Sequence, residues 1–144
     1  MEDLHLYKTS IEWKEGRIGN LTSPGMEPII TATPPDFPGG VPDIWSPEHL
    51  FTASVNICLM NTFLAIAENS KLNFKAFSSD ASGKVEKADG KYLVTEIVLK
   101  PKIVISDEKD RERAARIIEK AKNACLISNS VKTKIIMEPE ITIS

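Results

Sequence analysis

The feature that most constrains this fold is an apolar stretch from Leu50 to Ala67 that follows closely on a proline-rich segment. Ser46-Pro47-Glu48 precedes it, supplying an N-cap serine, a proline at the first helical position and an acid in the first turn. The sequence therefore predicts a helix from there to about Glu68. Because its apolar residues lie on more than one face, we expect this helix to be buried centrally. Polar interruptions such as Asn56 favour a core helix over a membrane span.

Strand-like segments flank this helix on both sides. The predicted elements, in order, are strands over 4–13, 17–21 and 29–33, the helix, strands over 74–85 and 92–105, a second helix capped by Ser106-Asp107, and a last strand over 132–143. Four prolines and two glycines between Pro34 and Pro42 predict a long connecting loop. This order predicts an α+β fold with a mainly antiparallel sheet, in a single domain over residues 1–144.

Charge and composition narrow the partners. The net charge is −2 and no basic run exceeds two residues, so a nucleic-acid or anionic-membrane partner has no electrostatic support. The acidic start, Met1-Glu2-Asp3-Leu4-His5, does not resemble a signal peptide. We therefore expect a cytoplasmic protein with neither nucleic acid nor membrane as a partner.

Two cysteines, Cys58 and Cys125, are the candidate chemical groups. Without an export signal they argue against a structural disulfide framework, which leaves core cysteines, a metal site or redox chemistry. Their 67-position separation is no ligand motif and only His5 and His49 could assist, so we expect no metal and no cofactor. Taken singly, each cysteine is typical of an inert core residue. A reactive Cys58, in mid-helix, would need a cation from elsewhere in the fold to favour its thiolate.

Several segments together resemble one family. The segment 46–58 resembles the active-site helix of the OsmC/Ohr hydroperoxide-reductase family (osmotically induced protein and organic hydroperoxide resistance protein). Residues 124–132 resemble that family's resolving-cysteine motif, Gly16-Arg17-Ile18-Gly19 its arginine turn, and 138–141 its closing segment. The segments occur in the family's order from about Trp13 onward, and the two cysteine motifs together are specific. The resemblance implies an OsmC-like fold, with the sheet packed on two central helices in an intertwined homodimer.

The resemblance also implies a role for four side chains. Cys58 would attack a peroxide as the thiolate and become a sulfenic acid, and Cys125 would resolve it as a disulfide. Arg17 would hold the thiolate and polarise the peroxide, while Glu48 would orient Arg17 through a charge-assisted pair. The implied activity is a hydroperoxide reductase acting on organic hydroperoxides, with hydrogen peroxide as a second candidate substrate. A lipoyl-type or thioredoxin-like dithiol would be the reductant.

Helix geometry adds a prediction about assembly. Glu48 and Cys58 are ten residues apart, which is about 15 Å along one continuous helix. We therefore predict that Glu48, with Arg17, reaches Cys58 of a partner subunit across a two-fold interface. The predicted pocket is apolar, and its candidate lining residues are Phe37, Ile44, Trp45, Phe51, Met60 and Phe63. The 34–45 loop is either a lid over it or a rigid connector.

Two alternatives use the same residues differently. A redox-sensing or ligand-binding dimer would keep both cysteines and change shape on oxidation without turning over. A structural relative would keep them as inert core residues. Repeated turnover separates an enzyme from both. The sequence leaves open the family branch, the preferred peroxide and the physiological reductant.

Overall fold

The computed structural model describes residues 3–144. Met1 and Glu2, the first two residues of the acidic start that does not resemble a signal peptide, lie outside the described residues. The chain divides into two compact units, the first ending at Leu50 and the second running from Phe51 to Ser144. The single-domain boundary over 1–144 stays a prediction. The elements are β1 (Ser10–Glu15), β2 (Ile18–Thr22), β3 (Ile29–Ala32), α1 (Pro47–Asn69), β4 (Ala76–Ala88), β5 (Lys91–Ile105), α2 (Arg111–Ala124), β6 (Lys134–Met137) and β7 (Glu140–Ile143).

The first unit contains a three-stranded antiparallel sheet in the order β1-β2-β3. Gly16 makes the β1–β2 turn in the left-handed region at φ 54°, a conformation that glycine adopts without steric cost. Strand β1 begins only at Ser10, so the predicted start near Leu4 is wrong. Every residue of β1 is exposed, including Ile11 and Trp13. This strand therefore presents apolar side chains that its own sheet does not cover.

The second unit contains a four-stranded sheet centred on β5. Strands β4 and β5 pair antiparallel along their whole length, and Asp89-Gly90 turns between them, as predicted. The predicted single strand over 132–143 is wrong, because β6 and β7 pair with β5 separately and in parallel. The gap between them places Pro139 opposite Pro101, and neither proline has an N–H for a ladder hydrogen bond.

Both helices and β5 contribute to one core in the second unit, which confirms the α+β class. Its buried residues are Val55, Leu59, Phe63, Ala67, Leu72, Ile97, Leu99, Ile103, Ile105, Ala114, Ile117, Ile118 and Ala121. Phe63 stacks on Phe77 with ring centroids 4.9 Å apart and meets the edge of Phe74 at 5.2 Å. Such aromatic pairs stabilise a core beyond the area that they bury.

Helix α1 is less buried than its composition predicts. Within one chain it buries only the stripe Val55, Leu59, Phe63 and Ala67, while Ile57 is 54% exposed and Leu64 39% exposed. The expectation of burial on more than one face is therefore wrong for the single chain. By length and composition α1 is the one described helix that could cross a membrane, but a core helix meets the same criterion.

Candidate active site

The two cysteines meet in the second unit. Cys58 lies in the middle of α1 and is half-buried, whereas Cys125 is the C-cap residue of α2 and is fully buried. Both are free thiols, and their side chains hydrogen-bond to each other. Because α1 and α2 pack on the same core, residues 67 positions apart in the sequence come into contact.

Hydrogen bonds favour the thiolate of Cys58. Burial raises the pKa of this thiol, but four hydrogen bonds together lower it by more. They come from the Cys125 thiol, the backbone N–H of Ile127, the Thr62 hydroxyl and the backbone N–H of Leu126. The Thr62 oxygen lies 3.9 Å from the Cys58 sulfur. The pKa of Cys58 is therefore below its ordinary value, and donors from its own chain contribute to that shift.

Cys125 is shifted in the opposite direction. Burial raises the pKa of its thiol, and the hydrogen bond to Cys58 raises it further. The Ser128 hydroxyl and backbone N–H oppose this effect without overcoming it. As the pH rises, the first proton of the pair is therefore lost mainly from Cys58, and Cys125 remains a thiol that donates to it.

The loop after α2 provides these donors in a fixed arrangement. Its 3₁₀ turn, Ser128–Ser130, is held by hydrogen bonds from Asn129 N to Cys125 O at 3.0 Å and from Ser130 N to Ile127 O at 2.9 Å. The Asn129 side chain adds a bond to Asn123 O at 3.0 Å. The backbone N–H groups of Leu126 and Ile127 thereby donate to the Cys58 sulfur, and the backbone N–H of Ser128 donates to the Cys125 sulfur. Successive N–H groups of this kind form a concave site for negative charge.

Arg17 lies in the exposed β1–β2 turn of the first unit. Its side chain packs against Gly39. A Cβ atom added to Gly39 would lie 3.2 Å from the Cγ and 3.3 Å from the Nε of Arg17. Gly39 therefore leaves room for this arginine over the loop. Arg17 forms no ion pair within residues 3–144, and its predicted interaction with Glu48 stays a prediction.

Glu48 lies in the first turn of α1, whose start is capped as predicted. The Ser46 Oγ accepts a hydrogen bond from the His49 N–H at 3.1 Å and contacts His49 Nδ1 at 2.7 Å. This is a capping box with histidine in the place usually held by Glu or Gln. It fixes the first turn and with it the half-buried Glu48. Because α1 continues unbroken to Asn69, the spacing between Glu48 and Cys58 is that of a continuous helix.

The loop over 34–45 is closely tied within the first unit. Val41 N donates to Thr33 O at 2.9 Å, Gly40 N to Phe37 O at 3.0 Å and Ala32 N to Trp45 O at 2.9 Å. A Cβ on Gly40 would lie 2.0 Å from the Pro34 carbonyl oxygen, so only glycine fits there. These contacts favour the rigid connector over the lid.

Three of the six predicted lining residues lie on two different cavities of the described part of the chain. Ile44 and Trp45 line a cavity of about 460 Å³ in the first unit, and Phe51 lines an apolar groove of about 450 Å³ in the second, with Leu93, Val94, Thr95, Val131, Lys132 and Thr133. Phe63 is fully buried in the core, so its prediction as a lining residue is wrong. Among residues 3–144 no three His, Cys, Asp or Glu side chains come together as metal ligands.

Sequence reasoning missed the donors that surround the two sulfurs. Thr62 lies four residues after Cys58, and this helical spacing was a usable signal because side chains at i and i+4 are neighbours. Ser128 follows Cys125 by three residues, but the motif Ser128-Asn129-Ser130 indicated only a helix break. The sequence carries no signal for the backbone donors at 126 and 127, because every residue type except proline has a backbone N–H.

Comparison with known proteins places this geometry in context. The uncharacterised protein YmaD of Bacillus subtilis is 21% identical over 148 aligned positions, covering 99% of this chain and 97% of YmaD. An OsmC-like protein of unknown function from Vibrio cholerae superposes with a TM-score of 0.86 at 25% identity, covering 94% of this chain and 99% of its own. An organic hydroperoxide resistance protein from Elizabethkingia anophelis superposes with a TM-score of 0.78 at 22% identity over 100% of both chains.

These likenesses establish the fold over nearly the whole chain. The sequence profile of the family described as OsmC-like protein matches residues 40–140, which include both cysteines, both helices and strands β4, β5 and β6. This match covers well over half of the chain. The protein belongs to the OsmC-like family.

Proposed function

We propose that this protein is a thiol-dependent peroxidase that reduces organic hydroperoxides, with Cys58 as the peroxidatic cysteine and Cys125 as the resolving cysteine. The observation that carries the proposal is the contact between two free thiols whose pKa values shift in opposite directions. A nucleophilic thiolate beside a protonated thiol is what a two-cysteine peroxidase needs. The Elizabethkingia anophelis neighbour bears the name organic hydroperoxide resistance protein, which supports the same substrate class.

The first step consumes the peroxide. The Cys58 thiolate attacks the terminal oxygen, the O–O bond breaks, and the leaving alkoxide takes a proton to become the alcohol. Cys58 is oxidised to the sulfenic acid as the peroxide is reduced. In the second step the Cys125 thiol attacks this sulfur, a disulfide forms and water leaves. A lipoyl-type or thioredoxin-like dithiol then returns both cysteines to thiols and becomes a disulfide itself.

Arg17 and Glu48 complete the site in this proposal, and they come from a partner subunit of a homodimer. Arg17 polarises the peroxide and holds the thiolate, and Glu48 orients it. Two observations support a dimer: the exposed apolar side chains of α1 and those of β1. The spacing of Glu48 and Cys58 along α1 supports the assignment to different subunits.

The cellular setting follows from the chemistry. The cycle needs both cysteines to be returned to free thiols, which the cytoplasm maintains and oxidising compartments do not. We propose a cytoplasmic location, with an organic hydroperoxide and a dithiol as the only reactants. Hydrogen peroxide is the second, slower substrate, because the apolar pocket predicted for this site offers it few polar contacts.

Peroxide consumption by the pre-reduced protein tests the proposal. With dihydrolipoamide as reductant we expect many turnovers of cumene hydroperoxide and slower turnover of hydrogen peroxide. The Cys58→Ser variant abolishes consumption, and Cys125→Ser oxidises once per subunit without forming the disulfide. Oxidation of Cys58 without repeated turnover would favour the redox-sensing dimer. No oxidation at all would favour an inert relative.

Mixing two inactive variants tests the shared site. Cys58→Ser and Arg17→Ala chains, unfolded and refolded together, form mixed dimers in which one site has both residues only if they come from different subunits. We expect the mixture to recover roughly one quarter of the wild-type activity, since half of the dimers are mixed and each has one intact site. No recovery would place Arg17 and Cys58 of one site in the same chain.

A further inference from the structure

The hydroxyl of Ser128 is buried but has no conventional hydrogen-bond partner. Its Oγ has no hydrogen-bond partner, sulfur atoms included, at ordinary hydrogen-bond distance in the part of the chain that the structure describes. Buried side-chain polar atoms are usually paired, so an orphaned one calls for a chemical reason. Ser130, in the same turn, differs: it is exposed, and its Oγ donates to Leu126 O at 2.8 Å.

The neighbour of this hydroxyl is the Cys125 sulfur. Both the side chain and the backbone N–H of Ser128 interact with that sulfur, and they lower the pKa of Cys125 against the larger effect of burial. A thiol sulfur is a weak acceptor, whereas a thiolate accepts a strong, charge-assisted hydrogen bond. The Ser128 hydroxyl therefore gains a good partner only when Cys125 carries negative charge.

A parallel with Cys58 supports this interpretation. Each sulfur has one hydroxyl close to it, Thr62 for Cys58 and Ser128 for Cys125, and each also has backbone N–H donors from the same loop. The donors around Cys58 outweigh its burial, and those around Cys125 do not. The second set is therefore suited to a thiolate that forms only transiently.

We propose that Ser128 is a positioning residue for Cys125, whose buried hydroxyl orients the sulfur and stabilises its thiolate in the steps where Cys125 takes on negative charge. The proposal rests on the peroxidase function proposed above and assigns the residue that supports its resolving half. Ser128 acts through Cys125 and contacts neither the peroxide nor the reductant.

The first of these steps is disulfide formation. Cys125 loses its proton, its sulfur attacks the Cys58 sulfur, the S–S bond forms as the S–O bond breaks, and the departing hydroxide takes up the proton as water. Ser128 lowers the barrier by hydrogen bonding to the sulfur as its proton leaves. It also holds that sulfur toward Cys58 while the bond forms.

The second step is reduction of the disulfide. Cys58 is partly exposed and Cys125 is fully buried, so a thiolate of the reductant attacks the Cys58 sulfur. The S–S bond then breaks and Cys125 leaves as the thiolate, where the Ser128 hydroxyl stabilises the leaving group. The second thiol of the reductant displaces Cys58, which regains its thiolate, and the reductant departs as a cyclic disulfide.

An ultraviolet titration tests the contact without needing catalysis. In the Cys58→Ser variant, Cys125 is the only cysteine, so thiolate absorbance reports it alone. We expect Ser128→Ala, added to this variant, to move the titration to higher pH. Ser130→Ala is the matched control because it removes the other hydroxyl of the same turn, and the titration should not move. Superimposable curves for Ser128→Ala and its parent would overturn the proposal, as would equal shifts in both serine variants.

Single-turnover kinetics test the role in catalysis. With one equivalent of cumene hydroperoxide, Ser128→Ala should slow disulfide formation about tenfold, the value for losing a hydrogen bond to a charged group, while oxidation of Cys58 keeps its rate. A dimedone-trapped sulfenic acid should accumulate, and Ser128→Thr should restore the wild-type rate. An unchanged disulfide rate would overturn the role, and so would a Ser128→Ala chain that fails to fold, since the hydroxyl would then be structural. If peroxide oxidises Cys58 in no variant, the peroxidase proposal fails while the titration still decides the contact.

Discussion

Helices α1 and α2 pack on the same core, but only α2 completes its apolar face within one chain. The buried residues of α2 are Ala114, Ile117, Ile118 and Ala121, and its other positions include exposed charges such as Arg116 and Glu119. Helix α1 buries one stripe and leaves Ile57 and Leu64 exposed. The apolar surface of α1 is therefore larger than one chain covers.

This difference in burial between α1 and α2 indicates which helix needs a further packing partner. An amphipathic helix such as α2 marks the boundary of its own domain, whereas a helix that is apolar on several sides requires a further neighbour. A second copy of the chain supplies that neighbour in the proposed dimer. The cysteines follow the same division: Cys58, on the incompletely covered helix, is half-buried, and Cys125, at the end of the completed one, is inaccessible. In the proposed peroxidase, the thiol that meets the peroxide is the one on the incompletely covered helix α1.

The largest expected effect comes from the stripe that α1 does bury. Phe63→Ala removes a fully buried ring from between Phe74 and Phe77 and should lower the free energy of unfolding by about 3–5 kcal/mol. Urea unfolding at one fixed protein concentration measures it. Met26→Ala, at a residue that is 67% exposed, is the control and should change stability by no more than about 0.5 kcal/mol. A loss below about 1 kcal/mol for Phe63→Ala would mean that α1 does not share the core of α2.

The outer face of α1 should respond differently. Ile57→Asp should leave the fold of each chain intact and weaken the proposed dimer, because it loses an apolar contact worth about 1.5–3 kcal/mol and places a charge in the proposed interface. Sedimentation equilibrium measures the change in dimer dissociation. Ala115→Asp, on the exposed face of α2, is the matched control and should leave the mass unchanged. An Ile57→Asp protein that dimerises like the wild type would show that this face is not the interface.

The sequence predicted best what local chemistry determines. The start of α1 was predictable because Ser46 and Pro47 carry their own cap and helix-start preferences. The β4–β5 hairpin was predictable because Asp89-Gly90 suits a turn with positive φ, which both residues adopt. The irregular 34–45 loop followed from its prolines and glycines. In each case the signal lies within a few residues of the structure that it predicts.

What the sequence did not predict depends on distant neighbours. The break between β6 and β7 falls where Pro139 faces Pro101, a pairing that exists only once the parallel register is known. The opposite pKa shifts of Cys58 and Cys125 arise from hydrogen bonds between segments separated by 67 positions. Family resemblance anticipated a pair of cysteines, but only the folded chain shows which donors surround each sulfur.

The smallest expected effect distinguishes how the two helices begin. The Ser46 side chain caps α1 directly, whereas Asp110, the N-cap of α2, makes no side-chain cap hydrogen bond and Asp107 instead caps the preceding 3₁₀ turn. Ser46→Ala should cost about 1–2 kcal/mol of unfolding free energy, because it leaves the His49 N–H without its buried hydroxyl acceptor, while His49 Nδ1 keeps the Ser46 backbone N–H. Asp107→Ala should cost less, because its contact with Lys109 N is exposed. Thermal unfolding of both variants measures the difference. A larger loss for Asp107→Ala would mean that the 3₁₀ turn before α2 depends more on its cap than α1 does, since the apolar burial of α1 would then hold its first turn without Ser46.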